Sequence, residues 1–135
     1  MITGIEHLGI AVSNPKKAIW IFEKLLNQTL GKSETVNSEK VETHFFRLGD
    51  SQIELLESLD EEGVISKFIE KKGQGMHHLA FKTDDIYLEM ERLKGEGFEF
   101  INENPKAGAD NKIIAFLHPK FTEGVLIELC QEIQH

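Results

Sequence analysis

The 135-residue sequence has a single cysteine, Cys130, and no long apolar segment. One thiol cannot form an intramolecular disulfide, which argues against a disulfide-stapled secreted domain and favours a reducing compartment. No apolar run approaches the roughly 20 residues that span a bilayer, and the first residues lack the basic region and apolar stretch of a signal peptide. We therefore expect a cytoplasmic protein that does not cross a membrane.

Positive charge is also scarce, with 15 Lys and Arg residues against 23 Asp and Glu residues and a net charge of −8. This balance argues against non-specific binding to nucleic acid or to an anionic membrane surface. An anionic small ligand stays compatible with it, because a local group of lysines can oppose the global sign. The length suits one compact domain or two very small fused halves.

The strongest pattern in the sequence is an internal repeat. Each unit opens with a histidine on an apolar stretch and closes with Ile-Glu-Leu, so that His7 and Glu54 bound the first unit and His78 and Glu128 bound the second. The spacings are nearly equal, at 47 positions (54 − 7) and 50 positions (128 − 78). The recurrence predicts a duplicated module. We place the first module at residues 1–60, a connecting helix and linker at 61–75, and the second module at 76–135.

The segments between these anchors match in order. Ser13-Asn14-Pro15 offers the N-cap of a helix that runs to about Leu26. A second helix is capped by Asp84 or Asp85 and stopped by Gly95 and Gly97. An apolar stripe over residues 64–69 predicts a short connecting helix. Strand-prone runs lie at about 28–35, 41–48, 52–56, 98–101, 112–117 and 124–129. The order predicts an α+β fold of two βαβββ modules.

The four anchor residues form a candidate metal site. They occupy equivalent positions of the repeat, and pseudo-symmetric packing would bring two imidazoles and two carboxylates to one concave face. This ligand set suits Co, Mn, Ni, Fe or Zn, has fewer oxygens than calcium prefers, and lacks the thiolates of a structural zinc site. A divalent ion with two carboxylates would be formally neutral, and an octahedral ion would keep two open positions.

The same residue types have plainer interpretations. A single strand histidine is more often a core or surface residue than a ligand, and a single strand glutamate usually faces solvent. Their recurrence in pairs is what favours a metal site. Other candidates lack this support. His77 should face away from His78, and His44 and His118 have no repeat partner. His135 is a terminal residue that we expect to be disordered, and Cys130 suggests a packed thiol.

At these residues the sequence resembles the vicinal oxygen chelate superfamily and, within it, the methylmalonyl-CoA epimerases. The resemblance covers about residues 3–132 and is carried by the segments around His7, by His78-Leu79-Ala80-Phe81, by Leu117-His118-Pro119-Lys120 and by the run that ends Ile127-Glu128-Leu129. It implies a cup-shaped, mixed eight-stranded sheet and often a homodimer. It also implies a divalent ion, commonly cobalt and otherwise Mn²⁺, Ni²⁺ or Zn²⁺, held by His7, Glu54, His78 and Glu128.

The resemblance further implies an acyl-CoA thioester substrate, from which the proton between thioester and carboxylate is removed and returned on the other face. Two bases are then needed. The resemblance points to Glu42 and Glu128, although Glu42 also fits a surface residue whose face the sequence does not fix. The CoA phosphates call for cations, and the candidates are Lys67, Lys71, Lys72, Lys112 and Lys120.

Two other functions stay open at this point. A lactoylglutathione lyase (glyoxalase I) acting on the hemithioacetal of methylglyoxal and glutathione would use the same ligands and a similar proton transfer. The stretches around His78 and His118 favour the epimerase over it. A metal-free small-molecule binding protein of the same fold would lack the four ligands, which this sequence retains.

Overall fold

The structure is a computed structural model that describes residues 1–133. His135, predicted to be disordered, lies outside this range. The elements in chain order are β1 (Ile2–Ala11), α1 (Pro15–Leu26), β2 (Lys32–Val36), β3 (Val41–Leu48), β4 (Ser51–Ser58), α2 (Val64–Lys72), β5 (Gly75–Thr83), α3 (Ile86–Gly95), β6 (Lys106–Ala107), β7 (Lys112–Phe116), a 3₁₀-helix (Pro119–Phe121) and β8 (Ile127–Glu132). None of the helices within residues 1–133 is long and apolar enough to cross a membrane.

The strands form a mixed eight-stranded sheet in the order β2-β3-β4-β1-β5-β8-β7-β6. Strands β5 and β8 pair in parallel, whereas β2-β3, β3-β4, β6-β7 and β7-β8 pair antiparallel. The predicted α+β class and mixed sheet are thereby confirmed. Contacts divide the chain into two compact units, residues 8–77 and residues 1–7 together with those from 78 onward. Strand β1 contributes residues to both units.

In the unit of residues 8–77, the β3-β4 pair is covered on both faces. Phe46 and Leu55 pack with α1 on one face, and Val41 and Leu56 pack with α2 on the other. Helix α1 starts at Asn14, whose side chain accepts a hydrogen bond from the Lys17 amide at 3.2 Å. The helix bounds predicted for α1 are confirmed, because cap and apolar spacing agree there.

In the other unit, helix α3 covers one face of the β5-β8-β7 strands. Asp85 caps this helix by accepting from the Leu88 amide at 3.1 Å, and Ile86, Met90 and Leu93 pack against those strands. Because side chains alternate along a strand, the residues next to these core positions face the other way. Strands β5 and β8 therefore present His78 and Glu128 on the face opposite α3.

Two predicted strands differ from the structure. The run at 98–101 forms only a single bridge, Phe100 to Leu117, and the strand of this part of the chain is β6. The ladder stops because the Phe116 amide donates to the side chain of Asn102 at 2.9 Å rather than to a strand carbonyl. The run at 124–129 becomes strand only at Ile127, because Gly124 has a φ of +84° in the preceding turn.

Candidate metal centre

Three of the four predicted ligands lie together in the unit that contains β5 and β8. The Nε2 atoms of His7 and His78 are 2.9 Å apart. Glu128 places Oε1 at 3.3 Å from His78 Nε2 and Oε2 at 3.6 Å from His7 Nε2. Each of these residues is at most 7% exposed. The histidine and glutamate that open and close the second repeat thus lie beside the histidine that opens the first.

The strand register explains why these side chains converge. Ala80 of β5 pairs with Glu128 of β8, so His78 lies two residues from that pair on the same face. On the other side of β8, Phe116 pairs with Glu128, and its ring meets the His78 ring edge-on at a centroid distance of 5.7 Å. Helix α3 covers the opposite face, and the His78–Glu128 face holds these polar side chains together with the apolar side chains of Ala80 and Ile114.

The donor set and its spacing fit a divalent first-row metal ion. Two imidazole nitrogens and a carboxylate suit Co²⁺, Mn²⁺, Ni²⁺ and Zn²⁺. Ligand atoms about 2.1 Å from one octahedral ion lie about 3.0 Å apart along an edge. The two imidazole nitrogens match that value at 2.9 Å, and each lies beside a different oxygen of Glu128, at 3.3 Å for His78 and 3.6 Å for His7. Acceptor atoms this close together and buried repel one another unless a proton or a cation lies between them.

Glu6 takes part in this cluster, although no pattern in the sequence singled it out. Its Oε1 lies 2.8 Å from His7 Nδ1, and its Oε2 lies 3.9 Å from Lys112 Nζ. Burial works to raise the pKa of the Glu6 carboxyl, but the hydrogen bond with His7 and the charge of Lys112 outweigh burial and hold that pKa below its usual value. Neighbours on a strand normally face opposite sides, which is why sequence reasoning did not connect Glu6 with His7.

Cys130 also lies at the cluster. It is buried, as expected of a packed thiol, and its Sγ donates to Glu128 Oε2 at 2.6 Å. The ligand atoms of His7, Glu128 and Cys130 lie within 4.8 Å of one another. The i, i+2 spacing of Glu128 and Cys130 on β8 places both on one face and could have indicated this from the sequence.

Glu54, the fourth predicted ligand, belongs to the unit of residues 8–77. It is buried in β4 and pairs with Phe45 of β3. Its service as a metal ligand stays a prediction.

The predicted base Glu42 lies on the other face of the same two strands. Directly paired residues of antiparallel strands share a face, so Glu54 lies on the same face as its partner Phe45. Phe45 is three residues from Glu42 on β3, and side chains alternate along a strand, so Glu42 faces the other way. The Glu42 carboxylate accepts a hydrogen bond from Thr35 Oγ1 at 2.6 Å. This position does not favour a catalytic role shared with Glu54, and the role stays a prediction.

The other described histidines have structural partners. His77 meets the ring of Phe68 edge-on at 4.9 Å, and burial lowers its pKa. His44 contacts Ser33 at 2.6 Å and Glu57 at 3.0 Å. His118 caps the 3₁₀-helix by accepting from the Lys120 amide. These contacts give each of the three residues a structural partner.

The lysines proposed for phosphate binding differ in their surroundings. Lys112 is mostly buried and lies 3.2 Å from Asp110, so its charge is already opposed. Lys67 lies 3.8 Å from Glu62, and Lys120 stands over the ring of Phe121. Lys71 and Lys72 are exposed in the last turn of α2. Lys71 and Lys72 are therefore the better candidates for binding an anionic ligand.

Comparison with known proteins gives relatives over nearly the whole chain. The chain is 39% identical to the uncharacterized protein YqjC of Bacillus subtilis over 94% of this chain and 91% of that protein. It is 35% identical to an ethylmalonyl-CoA/methylmalonyl-CoA epimerase of Cereibacter sphaeroides, covering 97% of this chain and 99% of the relative. These two relatives show that the similarity extends over the full length of proteins of this size.

Solved structures agree. A variant of the methylmalonyl-CoA epimerase of Streptomyces coelicolor, in complex with 2-nitronate-propionyl-CoA, superposes with a TM-score of 0.93 at 28% identity, covering 98% of this chain and 96% of that one. The sequence profile of the glyoxalase/bleomycin resistance protein/dioxygenase superfamily matches residues 6–116. The resemblance drawn from the repeat is thereby confirmed, and the chain belongs to the glyoxalase/bleomycin resistance protein/dioxygenase superfamily.

Proposed function

We propose that this chain is a metal-dependent epimerase that interconverts the two hands of methylmalonyl-CoA or a closely related 2-carboxyacyl-CoA. The observation that carries the proposal is the buried convergence of His7, His78 and Glu128. The epimerases among the relatives support the reaction class and the substrate. The complex of the Streptomyces coelicolor enzyme supports an acyl-CoA ligand.

In this proposal His7, His78, Glu128 and Glu54 hold a divalent ion, with Co²⁺ first and Mn²⁺, Ni²⁺ or Zn²⁺ as alternatives. Bound there, the ion would supply Lewis-acid stabilisation of the negative charge that develops on the thioester oxygen when the α-proton leaves. The chain's own contribution is a set of buried donors, of which His7, His78 and Glu128 already lie together. Burial strengthens each electrostatic interaction within it, because little water is present to screen the charges.

Glu128 is the proposed base for the α-proton. Each of its oxygens has a histidine nitrogen beside it, His78 at Oε1 and His7 at Oε2, and Oε2 also accepts from the Cys130 thiol. The thiol hydrogen bond orients this carboxylate, so a substrate proton would meet a base that needs little reorganisation. Return of a proton on the other face requires a second proton donor. The sequence suggested Glu42 for this role, but Glu42 lies on the face of β3-β4 opposite Glu54, and the Glu42→Gln variant tests whether it takes part.

The remaining expectations belong to the same proposal. The acyl-CoA phosphates would lie near Lys71 and Lys72, whose charges α2 presents to solvent. The single thiol is compatible with the reducing cytoplasm. A homodimer stays a prediction from the family resemblance.

Exchange of the substrate α-proton tests the reaction. Methylmalonyl-CoA of one configuration is incubated in D₂O with the purified chain and Co²⁺, and the α-proton signal is followed by NMR. We expect its loss together with conversion to the other configuration. His78→Ala serves as the control, and we expect it to lower the exchange rate at least about 100-fold, a typical loss when a charge-stabilising group is removed.

Parallel incubation with the hemithioacetal of methylglyoxal and glutathione distinguishes the epimerase reaction from the glyoxalase I reaction. Formation of lactoylglutathione without exchange of the CoA thioester would replace the epimerase by glyoxalase I. Tight binding of an acyl-CoA with neither reaction would point to a binding protein of the same fold.

A further inference from the structure

Glu6 and His7 are adjacent in sequence, both buried, and joined through their side chains. Glu6 Oε1 lies 2.8 Å from the Nδ1 atom of His7, whereas Nε2 of the same ring lies on the side of His78 and Glu128. The ring therefore has one nitrogen in contact with a fixed carboxylate and the other in the candidate metal cluster. At 6% and 4% exposure, respectively, neither residue has much contact with water.

This contact fixes which nitrogen of His7 carries the proton. An ionised carboxylate can only accept hydrogen bonds, so Nδ1 must be the protonated nitrogen if the 2.8 Å contact is a hydrogen bond. Nε2 then carries the lone pair, and it is Nε2 that faces the cluster. The 2.9 Å contact between the two Nε2 atoms is then satisfied by a proton on His78, which a metal ion would displace.

Lys112 holds Glu6 in this position. Its Nζ lies 3.9 Å from Glu6 Oε2 and 3.2 Å from Asp110 Oδ2, and its side chain is 14% exposed. The cation lies beside Glu6 Oε2, whereas the 2.8 Å contact with His7 is made by Oε1. A protein cation thus lies beside Glu6, and its carboxyl group does not require a metal ion for charge compensation.

We infer that Glu6 is a positioning residue of the metal centre: it orients the His7 ring and fixes its tautomer, and Lys112 supports it from the other oxygen. This inference rests on the proposed metal site and extends it to residues that do not touch the ion. Carboxylates that hold a ligating histidine in this way typically contribute about 10- to 100-fold to metal affinity.

Three variants test the inference. Glu6→Leu removes the acceptor at similar volume, Glu6→Gln keeps an oxygen but removes the charge, and Lys112→Met removes the supporting cation. Glu89→Gln is the matched control, because Glu89 is a buried, ion-paired carboxylate of the same unit whose partner is Arg92 on α3. It should disturb stability without touching the cluster.

The first measurement uses the metal-free protein. Long-range ¹H–¹⁵N NMR of the histidine rings reports which nitrogen is protonated. We expect Nδ1–H for His7 in the wild type and in Glu89→Gln, and a mixture or the Nε2–H form in Glu6→Leu. Nε2–H for His7 in the wild type would overturn the inference, whether or not the chain binds metal.

The second measurement is Co²⁺ affinity by calorimetry. We expect Glu6→Leu to bind about 10- to 100-fold more weakly than the wild type, Glu6→Gln and Lys112→Met to lose less, and Glu89→Gln to be unchanged. Affinity of Glu6→Leu within about threefold of the wild type would overturn the inference. If Glu6→Leu does not fold, Co²⁺ affinity that is unchanged in both Glu6→Gln and Lys112→Met would overturn the inference. A wild type that binds no Co²⁺ while His7 is Nδ1-protonated would instead contradict the proposed function.

Discussion

The carboxylate of Glu128 has two neighbours of different chemistry. Oε1 lies 3.3 Å from a His78 ring nitrogen, and Oε2 accepts from the Cys130 thiol at 2.6 Å. A carboxylate that serves both as ligand and as base must divide these roles between its two oxygens. Both oxygens face a histidine nitrogen, and the thiol hydrogen bond to Oε2 is the contact that distinguishes them.

The roles of Glu128 and Glu42 can be separated by isosteric substitution. We expect Glu128→Gln to lower α-proton exchange about 10²- to 10⁴-fold, the usual contribution of a positioned general base. We expect Glu42→Gln to lower it by less than about threefold, because Glu42 lies on the face of β3-β4 opposite Glu54 and bonds to Thr35. Exchange is measured in D₂O from each substrate configuration in turn.

Glu57→Gln is the control for Glu42→Gln, because Glu57 pairs with Glu42 on the same face. A loss of about 100-fold or more in Glu42→Gln alone, from either configuration, would restore Glu42 as a catalytic base.

The sequence predicts the residues of this site that occupy equivalent positions of the internal repeat, and it does not predict the residues that have no counterpart in the other repeat. His7, His78 and Glu128 stood out because equivalent positions of a repeat acquire equivalent surroundings. Glu6 and Lys112 have no such counterpart, and their contact depends on how far apart β1 and β7 lie in space. Predicting which face of the sheet Glu42 occupies requires the β3-β4 register, and that register depends on the turn between the two strands.

At the scale of elements, α3 combines an apolar face with one buried carboxylate. Ile86, Met90 and Leu93 pack into the core, and Glu89 is buried beside them. Arg92 spans one turn to donate to both Glu89 oxygens, at 2.8 and 3.2 Å. The bidentate contact compensates the buried charge and supports the helix at i, i+3 spacing.

This pair predicts a loss of stability in acid. The hydrogen bond from Arg92 holds the pKa of Glu89 below its ordinary value. The stabilising contribution is therefore present above the pKa that Glu89 has in the unfolded chain, about 4.3, and is lost as the pH falls through the lower pKa of the folded state. Urea unfolding of the wild type and of Glu89→Gln at pH 7 and at about pH 3 measures it.

We expect Glu89→Gln to lower the free energy of unfolding at pH 7 by about 1 kcal/mol, because Arg92 is half exposed to water and recovers part of the lost interaction. At pH 3 the difference from the wild type should shrink. A difference that stays constant between the two pH values would contradict the assignment of this carboxyl.

Elements with agreeing local signals were predictable from sequence, and those set by tertiary contacts were not. Helix α1 has its cap and its apolar spacing in one segment, and β3 has a continuous strand-prone run. The run at 98–101 is equally strand-prone, but the Asn102 side chain takes the amide of Phe116. Neither this long-range bond nor the two-residue strand β6 has a local signal.

At the scale of the whole molecule, the net charge of −8 and the buried carboxylates favour binding of a cation. A buried carboxylate beside two imidazoles is costly without a proton or a metal ion to compensate it. Any ion that binds the folded chain and not the unfolded chain raises the free energy of unfolding by mass action.

We therefore expect Co²⁺ to stabilise the chain after treatment with a chelator. At a concentration of about 100 times Kd the gain is about 2.7 kcal/mol, visible as a rise in Tm that grows with the metal concentration. His78→Ala should lose this rise, whereas His44→Ala, which alters a buried histidine bonded to Ser33 and Glu57, should keep it. Equal rises in wild type and His78→Ala would place the binding ion elsewhere.

The most direct test of the metal centre is a crystal structure of the Co²⁺-loaded protein, with anomalous scattering recorded at the cobalt edge. We predict one strong peak per chain, at about 2.0 to 2.2 Å from Nε2 of His7, Nε2 of His78 and an oxygen of Glu128, with Glu54 as the fourth protein ligand. A cobalt peak that none of these residues touches, or loaded crystals in which the two imidazoles still bond directly to each other, would contradict the account.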